Sequence, residues 1–232
     1  MRPGGGHGER HVEYDGVIFD LDGTLVDTLE DIGDAMNRVL AAEDAPPHSY
    51  EEYRYLVGRG LWNLAEESLP PELRDEDTVG RCYERMIADY GAHSLIKTHV
   101  YAGVPALVRG LRDAGLPLAV FSNKSHELTC RVVEALLDLG DFIAVVGARA
   151  GVPLKPDPSV ALGLAAQMNV PPRRIAYLGD SLVDMQTATA SGMIAVGASW
   201  GFRTTAELVE SGARVVIDHP RELLELRGHG RG

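Results

Sequence analysis

The chain has 232 residues, 45% of them hydrophobic and 24% charged, with a formal net charge of -12. That length and balance suit one large or two small soluble globular units with a sizeable core. The negative charge argues against a sequence-independent nucleic-acid binder, which needs a basic face, so no nucleic-acid partner is expected.

In chain order, the opening MRPGGGHGER lacks the apolar segment of a secretory signal, and residues 1–13 are expected to form a flexible tail. Tyr14 to Asp20 carries Val17, Ile18 and Phe19 and runs into Asp-Gly, the pattern of a short buried strand. Between Thr28 and His99 no strand pattern stands out. Leu29, Ile32, Ala35, Met36, Val39 and Leu40 recur at helical spacing. Pro46-Pro47 stops that helix, and Ser49-Tyr50-Glu51-Glu52 is a capping box for another. Further helices are predicted over Leu61–Ser68 and Asp75–Tyr90.

After this helical block the pattern alternates. Strands are predicted at Pro117–Ser122, Ala144–Gly147, Ile175–Gly179, Ile194–Gly197 and Val215–Ile217. Helices are predicted at Val104–Ala114, Ser125–Leu139, Ser159–Met168, Asp184–Ser191 and Thr205–Glu210. Such alternation implies an α/β fold, a doubly wound, mainly parallel sheet covered on both faces. Residues 28–99 are too many for a crossover and read as an inserted α-helical domain. The core would then be 14–27 and 100–232, with hinges near Asp27 and His99. No apolar run approaches the ~18 residues of a membrane span, so a soluble cytoplasmic protein without a membrane partner is expected. Cys82 and Cys130 are far apart, with no C-x-x-C pair and no adjacent His. They read as small buried residues rather than a disulfide or a zinc site.

The chemistry-bearing residues fall at predicted strand ends, where open parallel sheets bind ligands. Asp20 and Asp22 end the first strand, two apart and so able to face one site. A bound cation would relieve their repulsion and leave one as nucleophile and the other as acid/base. Ser122-Asn123-Lys124 follows the second strand, Lys155-Pro156-Asp157-Pro158 the third, and Asp180-Ser181-Leu182-Val183-Asp184 the fourth. A hydroxyl, a lysine and two acidic clusters are what a phosphate-plus-metal site needs. The net negative charge makes local positive groups there essential.

These segments resemble the motifs of the haloacid dehalogenase superfamily. The D-x-D-G-T-L-x-D form of the first is its most specific mark, and the helical insert is similar to that family's first-type cap. F-S-N-K, K-P-D-P and the late W-G-F-R segment look most like the phosphoglycolate phosphatase branch. The resemblance covers Tyr14 to Leu226 and implies a Rossmann-like catalytic core with a small phosphate ester as substrate. It implies that Asp20 attacks phosphorus and that Asp22 protonates the leaving oxygen and then activates water. Ser122 and Lys155 would hold the phosphoryl oxygens, with backbone N–H groups after Asp20, including that of Gly23. Mg²⁺ would be bound by Asp20, the Asp22 carbonyl and Asp180, with Asp184 in support. Ser159 stands where relatives often carry Asp, and Ser122 where many carry Thr.

The remaining candidates are read more plainly. Arg59, between two glycines, either reaches a distal anionic group of the substrate or is a solvated residue in a turn. Asn123 is expected to be structural in its side chain, with its backbone a candidate substrate contact at the phosphate. Lys124 is read as a surface residue at a helix start, with pocket lining as the alternative. Trp62 is expected in the cap core, Thr24 in the turn and Asp27 at the hinge. 2-Phosphoglycolate is the first substrate implied, and a monomer or homodimer is expected. A phosphomutase or a pyrophosphatase is the enzymatic alternative. A non-catalytic scaffold would be expected to have lost at least one of these groups.

Overall fold

The computed structural model describes residues 12–227. Strand β1 (Gly16–Phe19) is buried throughout, as expected inside a parallel sheet. Val17 and Phe19 pack to one side and Ile18 to the other, following strand alternation. Next come β2 (Val26–Asp27), α1 (Leu29–Ala41), α2 (Tyr50–Leu56), α3 (Leu61–Ser68), α4 (Glu76–His93) and β3 (His99–Val100). The chain then alternates through α5 (Val104–Asp113), β4 (Leu118–Ser125), α6 (His126–Leu136), β5 (Ala144–Ala148), α7 (Ser159–Met168) and β6 (Ile175–Gly179). It ends with α8 (Leu182–Ala190), β7 (Ile194–Ala198), α9 (Thr205–Glu210), β8 (Val215–Ile217) and α10 (Arg221–Leu226).

Six strands form one parallel sheet in the order β5-β4-β1-β6-β7-β8. The chain winds outward from β1 through β4 to β5, then returns to β6 on the other side of β1. That reversal is the switch point at which ligands bind in doubly wound sheets. Leu107, Val108 and Leu111 of α5, Val132 and Val133 of α6, and Leu223 of α10 cover one face. Leu164 and Met168 of α7, Met185 of α8 and Leu208 of α9 cover the other.

The helices α1 to α4 share a separate apolar core. Met36, Leu40, Tyr53, Leu64, Met86 and Tyr90 pack together within it, and Leu128 and Phe202 join it from the sheet side. Ser49 caps α2 through the capping box expected from the sequence. β2 and β3 pair antiparallel where the chain enters and leaves the block, with Val26 opposite Val100 and Asp27 opposite His99. Pairs of two residues are too short to leave an alternating pattern, so the sequence reading missed them.

Four further differences follow from packing. β4 runs on to Ser125, with a shift of register between Phe121 and Ser125. α10 is an additional helix. Val12 belongs to the core rather than to a tail, and its N–H donates to the Leu226 carbonyl at 2.8 Å. Trp62 is 42% exposed and leans on Tyr83 instead of filling the helical core, because α3 turns Leu64 and Ala65 inward. Glu13 pairs with Arg174 at 2.6 Å, and residues 1–11 of the expected tail lie outside the described residues. Cys82 is buried, Cys130 is half-buried, and both are free thiols. Among the described residues no helix is long and apolar enough to cross a membrane.

Candidate active site

Asp20 sits one residue beyond β1, and its Oδ1 accepts the Leu21 N–H at 2.7 Å. The chain turns at once through Gly23, whose φ of +82° is a left-handed conformation that glycine adopts freely. A Cβ there would lie 2.3 Å from Asp180 Oδ2, so the turn can pack on Asp180 only without a side chain. The Gly23 N–H goes to the Val26 carbonyl at 2.8 Å, which leaves Gly23 to act through its missing side chain. Thr24 does more than stabilise the turn. Its hydroxyl donates to Asp180 Oδ1 at 2.8 Å, while the Phe202 N–H donates to Asp180 Oδ2 at 2.8 Å.

Asp184, in the first turn of α8, turns Oδ2 back on the Ser181 N–H at 3.1 Å and on its hydroxyl. Its Oδ1 is thereby aimed at the Lys155 ammonium, 2.7 Å away. The same ammonium lies 2.8 Å from Asp20 Oδ1. Asn123 holds Lys155 in place. Its side-chain oxygen accepts the Lys155 N–H at 2.8 Å and its amide donates to the Lys155 carbonyl at 3.1 Å.

Asp20, Asp180 and Asp184 are all buried, and each offers an oxygen within 4.8 Å of the others. Burial lifts Asp20 well above the usual carboxylate range, the charge of Asp184 adds to this, and Lys155 opposes it. Burial, and then the charge of Asp184, pushes Asp180 up to about 7. Burial alone would lower Lys155, yet the carboxylates of Asp184 and Asp20 outweigh it and hold the ammonium protonated. Three carboxylates against one ammonium leave excess negative charge in a desolvated place. An all-oxygen set of this kind fits a hard divalent cation.

Asp22 goes its own way. Its Oδ1 accepts from Lys124 Nζ at 2.7 Å and from the Thr28 hydroxyl at 2.8 Å. Asp22 lines the same cavity as Asp20, but its carboxylate lies outside the cluster of Asp20, Asp180 and Asp184, because strand alternation stops at Phe19 and a turn follows. Both contacts fall on Oδ1, which leaves Oδ2 as the oxygen to present to a ligand. Lys124 is buried rather than on the surface, with its ammonium 4.7 Å from the centre of the Tyr90 ring. The shift of register in β4 turns Ser122, Asn123 and Lys124 all inward, as β-bulges re-aim side chains.

Asp20, Asp22, Ser122, Lys124 and Lys155 form the floor of a cavity of about 30 Å³. Its roof is apolar, with Ile32, Val57, Leu61 and Leu64 alongside Gly58 and Gly60. Ser122 Oγ accepts the Lys124 N–H at 3.2 Å, so its own proton is free to donate into the cavity. Arg59 does not line this cavity. It turns outward to pair with Glu67 and is 47% exposed, the placement of the solvated alternative. Thr28 and the Gly201-Phe202 stretch were not picked out as site residues. Only their neighbourhood, after Asp27 and within W-G-F-R, pointed that way.

Fold and site together define a hydrolase with a doubly wound core and a helical insert after its first strand. A family profile described as haloacid dehalogenase-like hydrolase matches residues 17–198. A phosphoglycolate phosphatase of Pseudomonas putida is 34% identical over 215 residues, covering 90% of this chain and 78% of the relative. One of Cereibacter sphaeroides is 36% identical over 182 residues, covering 77% and 82%. A crystal structure of a Lactobacillus delbrueckii subsp. bulgaricus protein superimposes with a TM-score of 0.87 at 30% identity, covering 94% of this chain and 100% of the other. The chain belongs to the haloacid dehalogenase-like hydrolases, and within them it is a phosphatase.

Proposed function

We propose that this chain hydrolyses a small phosphate monoester, with 2-phosphoglycolate the first substrate to test, through a phosphoenzyme formed on Asp20. The carrying observation is the Lys155 ammonium between Asp20 and Asp184 beneath a small cavity, with Asp180 alongside. The names of the Pseudomonas and Cereibacter relatives support the choice of substrate.

Asp20 attacks phosphorus in line, forming an O–P bond to its carboxylate as the ester O–P bond breaks. Asp22, through Oδ2, gives its proton to the departing oxygen. In the second half Asp22 takes a proton from water as that water attacks phosphorus, releasing inorganic phosphate and restoring Asp20. Lys155 and the Ser122 hydroxyl hold the equatorial oxygens, with the Asp22 N–H, for which the turn supplies no backbone acceptor, as a further donor. Phosphoryl transfer needs chiefly such positioning and charge neutralisation. Asp20 and Asp180 would hold Mg²⁺, with the Asp22 carbonyl and Asp184 in support. Bound there, it would neutralise charge on the carboxylates and the transferring group. Residues 28–99 act as a cap over the core of 14–27 and 100–232, opening near Asp27 and His99 to admit substrate.

The test is phosphate release from a panel of small esters, with Mg²⁺ or with EDTA. Release from 2-phosphoglycolate that needs Mg²⁺ and disappears in Asp20→Asn is expected. Release that persists in folded Asp20→Asn, or none from any ester, would overturn this reading.

A further inference from the structure

Lys124 is a buried cation that the hydrolytic steps above do not use. It lines the cavity, and its side-chain hydrogen bond runs to Asp22 Oδ1 at 2.7 Å. An ammonium has three donors, so further capacity remains for a ligand. The other cavity lysine, Lys155, bridges Asp20 and Asp184, and its remaining donor is the one assigned above to the phosphoryl oxygens. Among the described residues lining the roof, none carries a charged side chain. A second anionic group on the substrate would therefore meet Lys124 or nothing charged.

Geometry narrows the position of that group. Asp22 must come within about 3 Å of the ester oxygen it protonates, and Lys124 is itself in contact with Asp22. A carboxylate one carbon beyond the ester oxygen falls within reach of the same ammonium. The tight apolar roof disfavours a long chain. We propose that Lys124 is a specificity-determining residue that binds a carboxylate on the carbon next to the ester oxygen. The pocket thereby selects short, doubly anionic phosphate esters. The inference rests on the phosphatase reading and deepens it.

The experiment compares 2-phosphoglycolate with its primary amide, in the wild-type protein and in Lys124→Met. The readout is the ratio of kcat/KM for acid over amide within each protein, which does not depend on the fraction folded. Wild type is expected to prefer the acid by about 30-fold or more, as expected for a buried ion pair. In Lys124→Met the ratio is expected to fall to within a few-fold of one. Equal kcat/KM for acid and amide in wild type, or an undiminished ratio in Lys124→Met, would overturn the proposal and leave the phosphatase reading standing. Calorimetry with 3-phosphonopropionate and its amide reads the same contact without turnover. A Lys124-dependent preference in binding, with neither ester hydrolysed, would uphold the contact and overturn the phosphatase reading. No preference in binding would overturn the contact.

Discussion

The Phe202 N–H donates to Asp180 Oδ2 at 2.8 Å, while the Phe202 ring is buried in the core of the helical block. Arg54 of α2 grips the same stretch, donating to the Phe202 carbonyl at 3.1 Å and to the Gly201 carbonyl at 3.0 Å. Phe202 thus holds a site carboxylate, while Arg54 of the helical block holds the carbonyls of both Gly201 and Phe202. The position of the insert and the orientation of Asp180 are mechanically linked.

Gly201 is where this linkage is tightest. A Cβ there would lie 2.2 Å from Asp180 Cβ and 2.4 Å from the Gly23 carbonyl oxygen, and neither is the end of a flexible chain. Gly201→Ala is expected to displace Asp180 or the Gly23 turn. Displacement of about 1 Å in a positioned site costs about 100-fold in rate. The check is kcat/KM for phosphate release together with a Mg²⁺ titration, with helical content by circular dichroism kept as control. Both activity and cation affinity are expected to fall while helical content stays.

The sheet was legible because its strands are apolar runs closed by turn residues. Asp20 and Asp180 directly follow the ends of two such strands, Ser122 lies near the end of a third, and Lys155 sits in the loop after a fourth. What strand pattern cannot report is how the chain bends beyond the strand. Asp22 shares the cavity with Asp20 but stays outside the carboxylate cluster, because a turn replaces the expected extension. Lys124 went inward because the β4 ladder slips after Phe121. Arg59 had two readings from its flanking glycines, and the sequence carried no sign of its pairing with Glu67. The hold of Phe202 on Asp180 joins residues 22 apart through backbone, and backbone contacts leave no side-chain signature.

Asp31 gathers the far end of the insert. Its carboxylate accepts the N–H groups of Ile96, Lys97 and Thr98 at 2.9 to 3.0 Å, and the Thr98 hydroxyl at 2.8 Å. It is 3% exposed. Asp31→Ala leaves those donors without their acceptor just before β3, and the expected cost is about 3 kcal/mol. Urea unfolding reads this as a lower midpoint at unchanged slope. A change below about 0.5 kcal/mol would mean that water replaces the carboxylate.

Arg59 supplies the contrasting case. Its partner Glu67 is on the surface of the insert, and exposed ion pairs are worth about 0–1 kcal/mol. Arg59→Ala is expected to change KM for a small ester by less than about twofold and stability by less than about 1 kcal/mol. A tenfold rise in KM would show that the closed insert brings the guanidinium to substrate after all.

The carboxylate cluster makes stability depend on pH in an unusual direction. An unfolded Asp titrates near 3.9, whereas folded Asp180 titrates at about 7 and Asp20 is also raised, through burial and the charge of Asp184. Between these values the folded state keeps protons that the unfolded state has released. Stability therefore falls as pH rises through that window, the opposite of a salt-bridged Asp. A divalent cation replaces those protons and removes the penalty. In EDTA, the thermal midpoint is expected to be higher at pH 5 than at pH 8 once other groups are matched by an Asp180→Asn control. Mg²⁺ is expected to raise the midpoint more at pH 8 than at pH 5, because fewer protons compete for the carboxylates. Equal stabilisation by Mg²⁺ at both pH values would mean that the cluster is already ionised at pH 5 and that Lys155 alone balances it.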